Sequence, residues 1–253
     1  MSKKNSKKRG KTVKNQVIFG FHSVLAALTN KKRINNELIL QENIAFPVEK
    51  FKSKIKKIRF VNQKQFKKLY GSDQTTQGIV LNTEELNIPS IDEFIQNEKN
   101  NYKSVIVVLD QITDPQNIGS IMRSCALFNC KAIVVSKNNS PELTPSLLKA
   151  ASGAAEIVNY FKVTNIRRSI VDFKKNGYWI YGFDSSSNAE SDLKFEKKSV
   201  LIFGSEGKGI RDLIKKECDI FIKLKMKNIS EFQIDSLNVS NATSIALHEF
   251  YKQ

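Results

Sequence analysis

The reading of this chain turns on Ser104–Arg123, S-V-I-V-V-L-D-Q-I-T-D-P-Q-N-I-G-S-I-M-R. Ser104–Leu109 is an unbroken, largely β-branched run, the pattern of a strand covered on both faces. Asp114-Pro115 then forces an extended or turn conformation. Asn117 is placed to cap a helix over Asn117–Phe128. In that helix Ile118, Ile121, Met122 and Cys125 share one face, and Gly119 allows close backbone approach. Arg123 falls about 140° from Ile118, off the apolar stripe, where it is free to meet something other than the core. An isolated arginine in such a place is more often merely solvated.

Alternation of strand and helix continues to the end of the chain. Ala132–Val135, Tyr178–Phe183, Ser199–Phe203 and Ile220–Leu224 read as strands. Glu142–Ala150, Ile166–Asn176, Ile210–Lys216 and Val239–Tyr251 read as helices. This predicts an α/β domain over residues 104–253 with a mostly parallel sheet covered on both faces, and ligands in such sheets bind at the carboxyl ends of strands. Ahead of it lies a smaller α/β unit, residues 16–82. There Phe21–Leu28, Pro47–Lys57 and Gln63–Tyr70 read as helices, and Glu37–Gln41, Ile58–Val61 and Gly78–Asn82 as strands. Thr83–Lys103, acidic and Asn-rich, reads as a linker with one helical turn. Met1–Asn15 reads as a disordered basic tail.

The 253 residues allow one large domain or two small ones. The net charge of +16 has a location: 19 of the 41 basic residues but only 4 of the 25 acidic ones fall in Met1–Val80. That first third carries a net +15 and the remainder +1. So one-sided a field points to a polyanion, most simply nucleic acid. Compositional drift toward Lys and Asn is the bland alternative, but drift alone does not leave the second part balanced. No apolar run approaches the ~20 residues of a bilayer span, and the Lys-rich start lacks the apolar core of a secretory signal. Three scattered cysteines argue against a disulfide framework and fit a reducing compartment. His22 and His248 lie far apart, with no H-x-x-x-H or C-x-x-C pair, which argues against a zinc site. A cytoplasmic protein is expected, with an organellar home left open.

Two further segments stand out just past strands. Leu201–Ile210, L-I-F-G-S-E-G-K-G-I, places three glycines in a strand-to-helix loop rich in exposed N–H groups. It matches neither G-x-G-x-x-G nor G-x-x-x-x-G-K-[ST], and a plain turn built on glycine is an equal reading. Glu206 within it is a carboxylate able to accept hydrogen bonds from a ligand. Ile234–Ala246, I-D-S-L-N-V-S-N-A-T-S-I-A, sets Ser236, Asn238 and Ser240 around the start of the last helix. One polar residue suffices for a cap, and three exceed that need.

Together, D-P-Q-N-I-G-S-I-M-R, F-G-S-E-G-K-G and S-L-N-V-S-N-A resemble, in order, the three motifs of the SpoU (TrmH-type) RNA 2′-O-ribose methyltransferases of the SPOUT superfamily. Lys149–Glu156, K-A-A-S-G-A-A-E, resembles a stretch of the subgroup acting on large-subunit ribosomal RNA. V-I-F-G-F-H-S-V-L-A-A-L and Thr76–Val80 resemble that subgroup's small RNA-binding domain, a ribosomal-protein-like α/β fold. The likeness runs from about Val17 to Gln253. It implies a trefoil-knotted catalytic domain, S-adenosylmethionine held in the knot, and an obligate homodimer with active sites at the subunit interface. By position, Gly204, Leu224 and Leu237, with Met226 adding to the wall, would cup the cofactor. Asn117, Arg123, Glu206, Ser236 and Asn238 would form the catalytic set. The chain departs from the family in having Lys225 where Pro is common, Thr76 where His is common, Asn241 in place of Val, and a longer stretch over Lys227–Asp235.

The resemblance implies methyl transfer to a ribose hydroxyl, with a guanosine of large-subunit ribosomal RNA as the target of the subgroup. Arginine does not give up its proton at working pH. Arg123 is therefore expected to bind the RNA phosphate and steady the developing alkoxide. Three other readings compete: a transfer-RNA methyltransferase, a non-catalytic RNA-binding or ribosome-assembly factor, and a nicotinamide-dependent dehydrogenase. The last is disfavoured because the loop after Ser104–Leu109 lacks a glycine fingerprint.

Overall fold

The computed structural model describes residues 14–71, 76–184, 193–227 and 236–253. The expectation of a tail over Met1–Asn15 lies outside these residues up to position 13, and the long stretch over Lys227–Asp235 lies outside them from position 228.

The N-terminal unit contains β1 (Asn15–Phe19), α1 (Phe21–Thr29), β2 (Asn35–Gln41), β3 (Ile55–Val61), α2 (Gln63–Tyr70) and β4 (Ile79–Glu84). Its four-stranded sheet runs β1-β4-β2-β3; β4 is antiparallel to both its neighbours, and β2 and β3 are parallel. Three sequence expectations shift here. Asn15 begins a strand rather than ending a tail. Pro47–Lys57 is not an α-helix but a 3₁₀ segment over Val48–Lys54 that runs into β3, where the β-branched Ile55, Ile58 and Val61 suit a strand. Thr83–Lys103 holds the end of β4 and a two-turn helix α3, Ile91–Glu98. Ser90 and Glu93 form a reciprocal capping box at its start. Phe94 and Ile95 are buried against the large sheet, so α3 belongs to that core and not to a free linker.

The large sheet is formed by β5 (Ser104–Asp110), β6 (Ala132–Ser136), β7 (Asn159–Val163), β8 (Trp179–Phe183), β9 (Lys198–Gly204) and β10 (Ile220–Ile222). All its pairings are parallel, in the order β10-β8-β9-β5-β6-β7. Every residue of β5 is buried, as its apolar run requires. Val105, Val107 and Leu109 face α4 (Pro115–Leu127), α5 (Pro145–Ala151) and α8 (Val239–Lys252). Ile106 and Val108 face α3, α6 (Ile166–Lys175) and α7 (Asp212–Lys215). Each such side chain removed from water contributes about 1.5–3 kcal/mol.

Helix α4 starts two residues earlier than the spacing suggests. Asp114, not Asn117, is the cap: its carboxylate accepts from the backbone N–H groups of Gln116 and Asn117, each at 3.1 Å. Pro115 fits the first turn because its φ is already helical and its missing N–H is not needed there. The Asn117 side chain is thereby released from capping. Gly119 lies on the buried face, where a Cβ would meet the Leu147 carbonyl oxygen at 2.8 Å, so α4 and α5 approach closely only because it is glycine.

Candidate active site

The carboxyl ends of β8, β9 and β10 open on a cavity of about 270 Å³. Its walls include Gly204, Glu206, Leu224, Met226, Ser236 and Leu237, residues the sequence singles out on three separate segments. Phe183 and Phe203 also line it, stacked with ring centroids 4.5 Å apart. Apolar side chains thus meet a glycine loop in one hollow, a setting for a ligand with both a flat apolar part and polar edges.

Gly204 ends β9, opposite Asp110 of β5. A Cβ here would fall on the carbonyl group of Gly209 and the nitrogen of Ile210. The loop returns across Gly204 and is closed by the Gly209 N–H donating to the Ser205 carbonyl at 2.8 Å. Asp110, whose side chain is fully buried, pins the far end of the loop. It accepts from the Arg211 backbone N–H at 3.0 Å and from its guanidinium at 2.6 and 2.9 Å. Sequence reasoning missed this pair. The available signal was a carboxylate closing a buried apolar run, with an arginine just past the glycine loop. On another wall Lys215 donates to Asp184 at 2.7 Å, and that bond holds the ammonium pKa above its usual value.

Asn238 joins the three segments. It caps α8 through Oδ1, which accepts from the Ser240 N–H at 2.9 Å. Its Nδ2 donates to Asn117 Oδ1 at 3.0 Å and to Glu206 Oε1 at 3.2 Å. Only an amide serves both ends, since a carboxylate at this position has no donor. Four of the five expected catalytic residues thus gather at the cavity and its rim: Ser236 in the wall, and Glu206, Asn238 and Asn117 bonded together.

Arg123 does not join them within one chain. Six residues beyond Asn117, it lies about 9 Å further along the helix and about 240° around it. It is exposed, and it lines a separate hollow with Gln116, Ser146 and Lys149. Beside it the surface is unusually apolar: Leu127 is 68% and Ile157 71% exposed. On α8, bonded to α4 through Ser124 and Ser244, Ile245 and Tyr251 are also exposed.

Covalent thiol chemistry finds little support. Burial raises the Cys125 thiol far above its ordinary pKa and pushes Cys218 up to about 12, so neither is a thiolate at neutral pH. Among the described residues no three His, Cys, Asp or Glu side chains cluster as metal ligands, and no helix is long and apolar enough to cross a membrane.

Comparison with known proteins agrees with this geometry. The SpoU rRNA Methylase family profile matches residues 104–248, and a profile for RNA 2′-O ribose methyltransferase substrate binding matches residues 17–89. The chain is 31% identical over 247 residues to the 23S rRNA (guanosine-2′-O-)-methyltransferase RlmB of Coxiella burnetii, covering 93% of this chain and 95% of that one. A Staphylococcus epidermidis protein, assigned by name to the TrmH family of tRNA/rRNA methyltransferases, is 30% identical over 243 residues, covering 94% and 95%. Among solved structures, the SpoU methyltransferase AviRb of Streptomyces viridochromogenes, in complex with AdoMet, superposes with a TM-score of 0.77 at 17% identity, covering 94% of this chain and 90% of that one. With the family profile over more than half its length, and residues of its three motif segments meeting at one cavity and its rim, the chain belongs to the SpoU rRNA methylase family.

Proposed function

We propose that this protein transfers a methyl group from S-adenosylmethionine to a ribose 2′-hydroxyl of RNA, and that its substrate is a guanosine of large-subunit (23S) ribosomal RNA. The observation that carries the reading is the Asn117–Asn238–Glu206 junction at the rim of a cavity walled by Gly204, Leu224, Met226 and Leu237. The fit to the donor rests on the glycine-only backbone crossing at Gly204 and on the apolar walls, which suit an adenine and a ribose edge. The relative of guanosine specificity favours the ribosomal target. A cytoplasmic location fits such a substrate.

Once bound, the donor supplies an activated sulfonium methyl group. The protein must then present the hydroxyl in line and manage its proton. Glu206 and Asn238 fix the loop and the start of α8. Asn117 and Ser236 orient the ribose or the arginine that meets it. Arg123 would bind the RNA phosphate and, as a fixed cation, stabilise the forming alkoxide; as the oxygen–methyl bond formed and the donor's sulfur–methyl bond broke, the hydroxyl proton would pass to solvent water. Because Arg123 faces away from its own chain's cavity, it serves the cavity of a second copy in a homodimer. The exposed Leu127, Ile157, Ile245 and Tyr251 supply the apolar surface for that contact. The trefoil knot of the family is part of this proposal.

Mapping of 2′-O-methyl groups on RNA from cells lacking the protein tests the substrate. Loss of one guanosine methylation in large-subunit RNA is the expected result; loss confined to transfer RNA moves the assignment there. Loss at neither, together with no calorimetric binding of the donor, returns the chain to a non-catalytic RNA-binding role.

The N-terminal unit should dock RNA through phosphates. Lys64, Lys67 and Lys68 project from α2 into solvent while Phe66 is buried beneath them. Replacing the three by glutamine is expected to weaken RNA binding and flatten the slope of log affinity against log salt by about 0.7–0.9 per lost contact. Donor affinity should not change. An unaltered salt slope would take α2 out of the interface.

A further inference from the structure

The segment Lys149–Glu156 does not line the donor cavity; Ala150 packs on Gly119 of α4, while Gly153, Ala155 and Glu156 meet the N-terminal unit. Leu148, just before it, is 2% exposed and packs into that unit's core with Val24, Leu28 and Leu38. The Ser23 hydroxyl donates to the Leu148 carbonyl at 2.9 Å. Gly153 lies so close to α1 that a Cβ would come within 2.5 Å of Ala26 Cβ.

The most specific contact is an ion pair between the two units. Arg33 Nη2 and Nε donate to Glu156 Oε1 and Oε2 at 2.8 and 3.0 Å, a bidentate fork. The two side chains are 1% and 6% exposed. Arg33 Nη1 also donates to Gln16 Oε1 and to the Glu84 carbonyl, each at 2.7 Å, which ties the start of β1 and the end of β4 to the same guanidinium. Asn30 Nδ2 donates to Glu156 Oε2 at 2.8 Å. Burying such a pair gives little net stability over an apolar replacement, but a planar fork held by three further hydrogen bonds fixes an angle. Asn30 and Glu156 line a hollow of about 610 Å³ between the units, and its other wall carries Arg123.

We propose that Arg33 and Glu156 are positioning residues for the RNA: their ion pair holds the RNA-binding unit at one angle to α4, so that RNA docked on the first is delivered at Arg123 on the second. The proposal rests on the RNA methyl-transfer reading above. It gives the Lys149–Glu156 stretch a mechanical role, as the seat of the substrate-binding unit.

The test replaces both partners at once, Arg33→Met with Glu156→Met, so that no unpaired charge is left buried. Three quantities are measured on the full chain: donor Kd by calorimetry, KM and kcat for RNA, and the distance distribution between spin labels at Ser53→Cys and Lys175→Cys, in a Cys218→Ser background. Wild type, co-assembled with an excess of unlabelled chain so that only one protomer of a dimer carries the labels, should give one narrow distribution. The double variant is expected to broaden it, leave donor Kd within about twofold, and raise KM for RNA about tenfold or more with a smaller change in kcat. A distribution as narrow as wild type, or a broadened one with unchanged KM, overturns the proposal. If the wild type methylates no RNA, the methyl-transfer reading fails and takes the proposal with it; a wild type that methylates RNA, with an unmoved distribution in the double variant, overturns the proposal alone.

Discussion

Arg123→Ala is expected to bind S-adenosylmethionine within about twofold of wild type and to lose methyl transfer to RNA by about 10²–10³-fold. The first half follows from placement: Arg123 is exposed on the side of α4 away from the cavity walls. The second half follows from charge, since a fixed cation at the developing alkoxide acts only in the transition state. Calorimetry with the donor and tritiated-methyl incorporation into RNA measure the two halves separately. Turnover near wild type would remove Arg123 from the chemistry. A mixing experiment then assigns it to one chain or the other. Asn238→Ala disables the rim of its own chain's cavity. If Arg123 serves the partner's cavity, co-assembled Arg123→Ala and Asn238→Ala chains regain up to about a quarter of wild-type activity, because each mixed dimer keeps one complete site. If Arg123 acts within its own chain, the mixture stays inactive.

Gly204→Ala should be the most damaging single methyl group in the catalytic domain. The added carbon has no room: it meets the Gly209 carbonyl group and the Ile210 nitrogen, both backbone, which no rotamer change relieves. The loop must lift away, and Asp110–Arg211 holds its far end down. A cost of about 3 kcal/mol is expected, roughly a 6–12 °C fall in Tm, with loss of donor binding. Gly207→Ala, three residues on, is the control. Nothing lies within 4 Å of its Cβ position, so stability should be unchanged. Equal thermal stability of the two variants would show that the crossing at Gly204 is looser than described.

The parts of this architecture that local pattern governs were legible in the sequence. The apolar run of β5, the stripe of α4 and the polar segments that follow β5 and β9 read correctly, because burial on two faces and helical periodicity leave direct marks. The reading failed where a short signal competed with composition. Ser90–Glu93 is a capping box, yet the Asn-rich, acidic surroundings of α3 read as linker. Asp114 outcompeted Asn117 because Pro115 sets the first turn. Long-range pairs left little or no mark. Arg33 and Glu156 lie 123 residues apart, and each looks like an ordinary surface charge until the two units meet. Asp110 read as the start of a loop, whereas it closes a strand and is buried only because Arg211 arrives to neutralise it. The meeting of Asn117, Glu206 and Asn238 came from family resemblance; spacing alone does not bring residues so distant to one rim.

The order β10-β8-β9-β5-β6-β7 also bears on how the chain is born. Strands β1 to β4 are complete by Glu84, and they pair only among themselves. The middle of the larger sheet stays unfilled until β9, ending at Gly204, slips between β5 and β8. Such distant pairing is slow compared with local pairing, and it leaves two apolar strand edges bare in the meantime. A nascent chain therefore displays a fully paired, basic N-terminal sheet while the larger sheet is still open and prone to wrong partners.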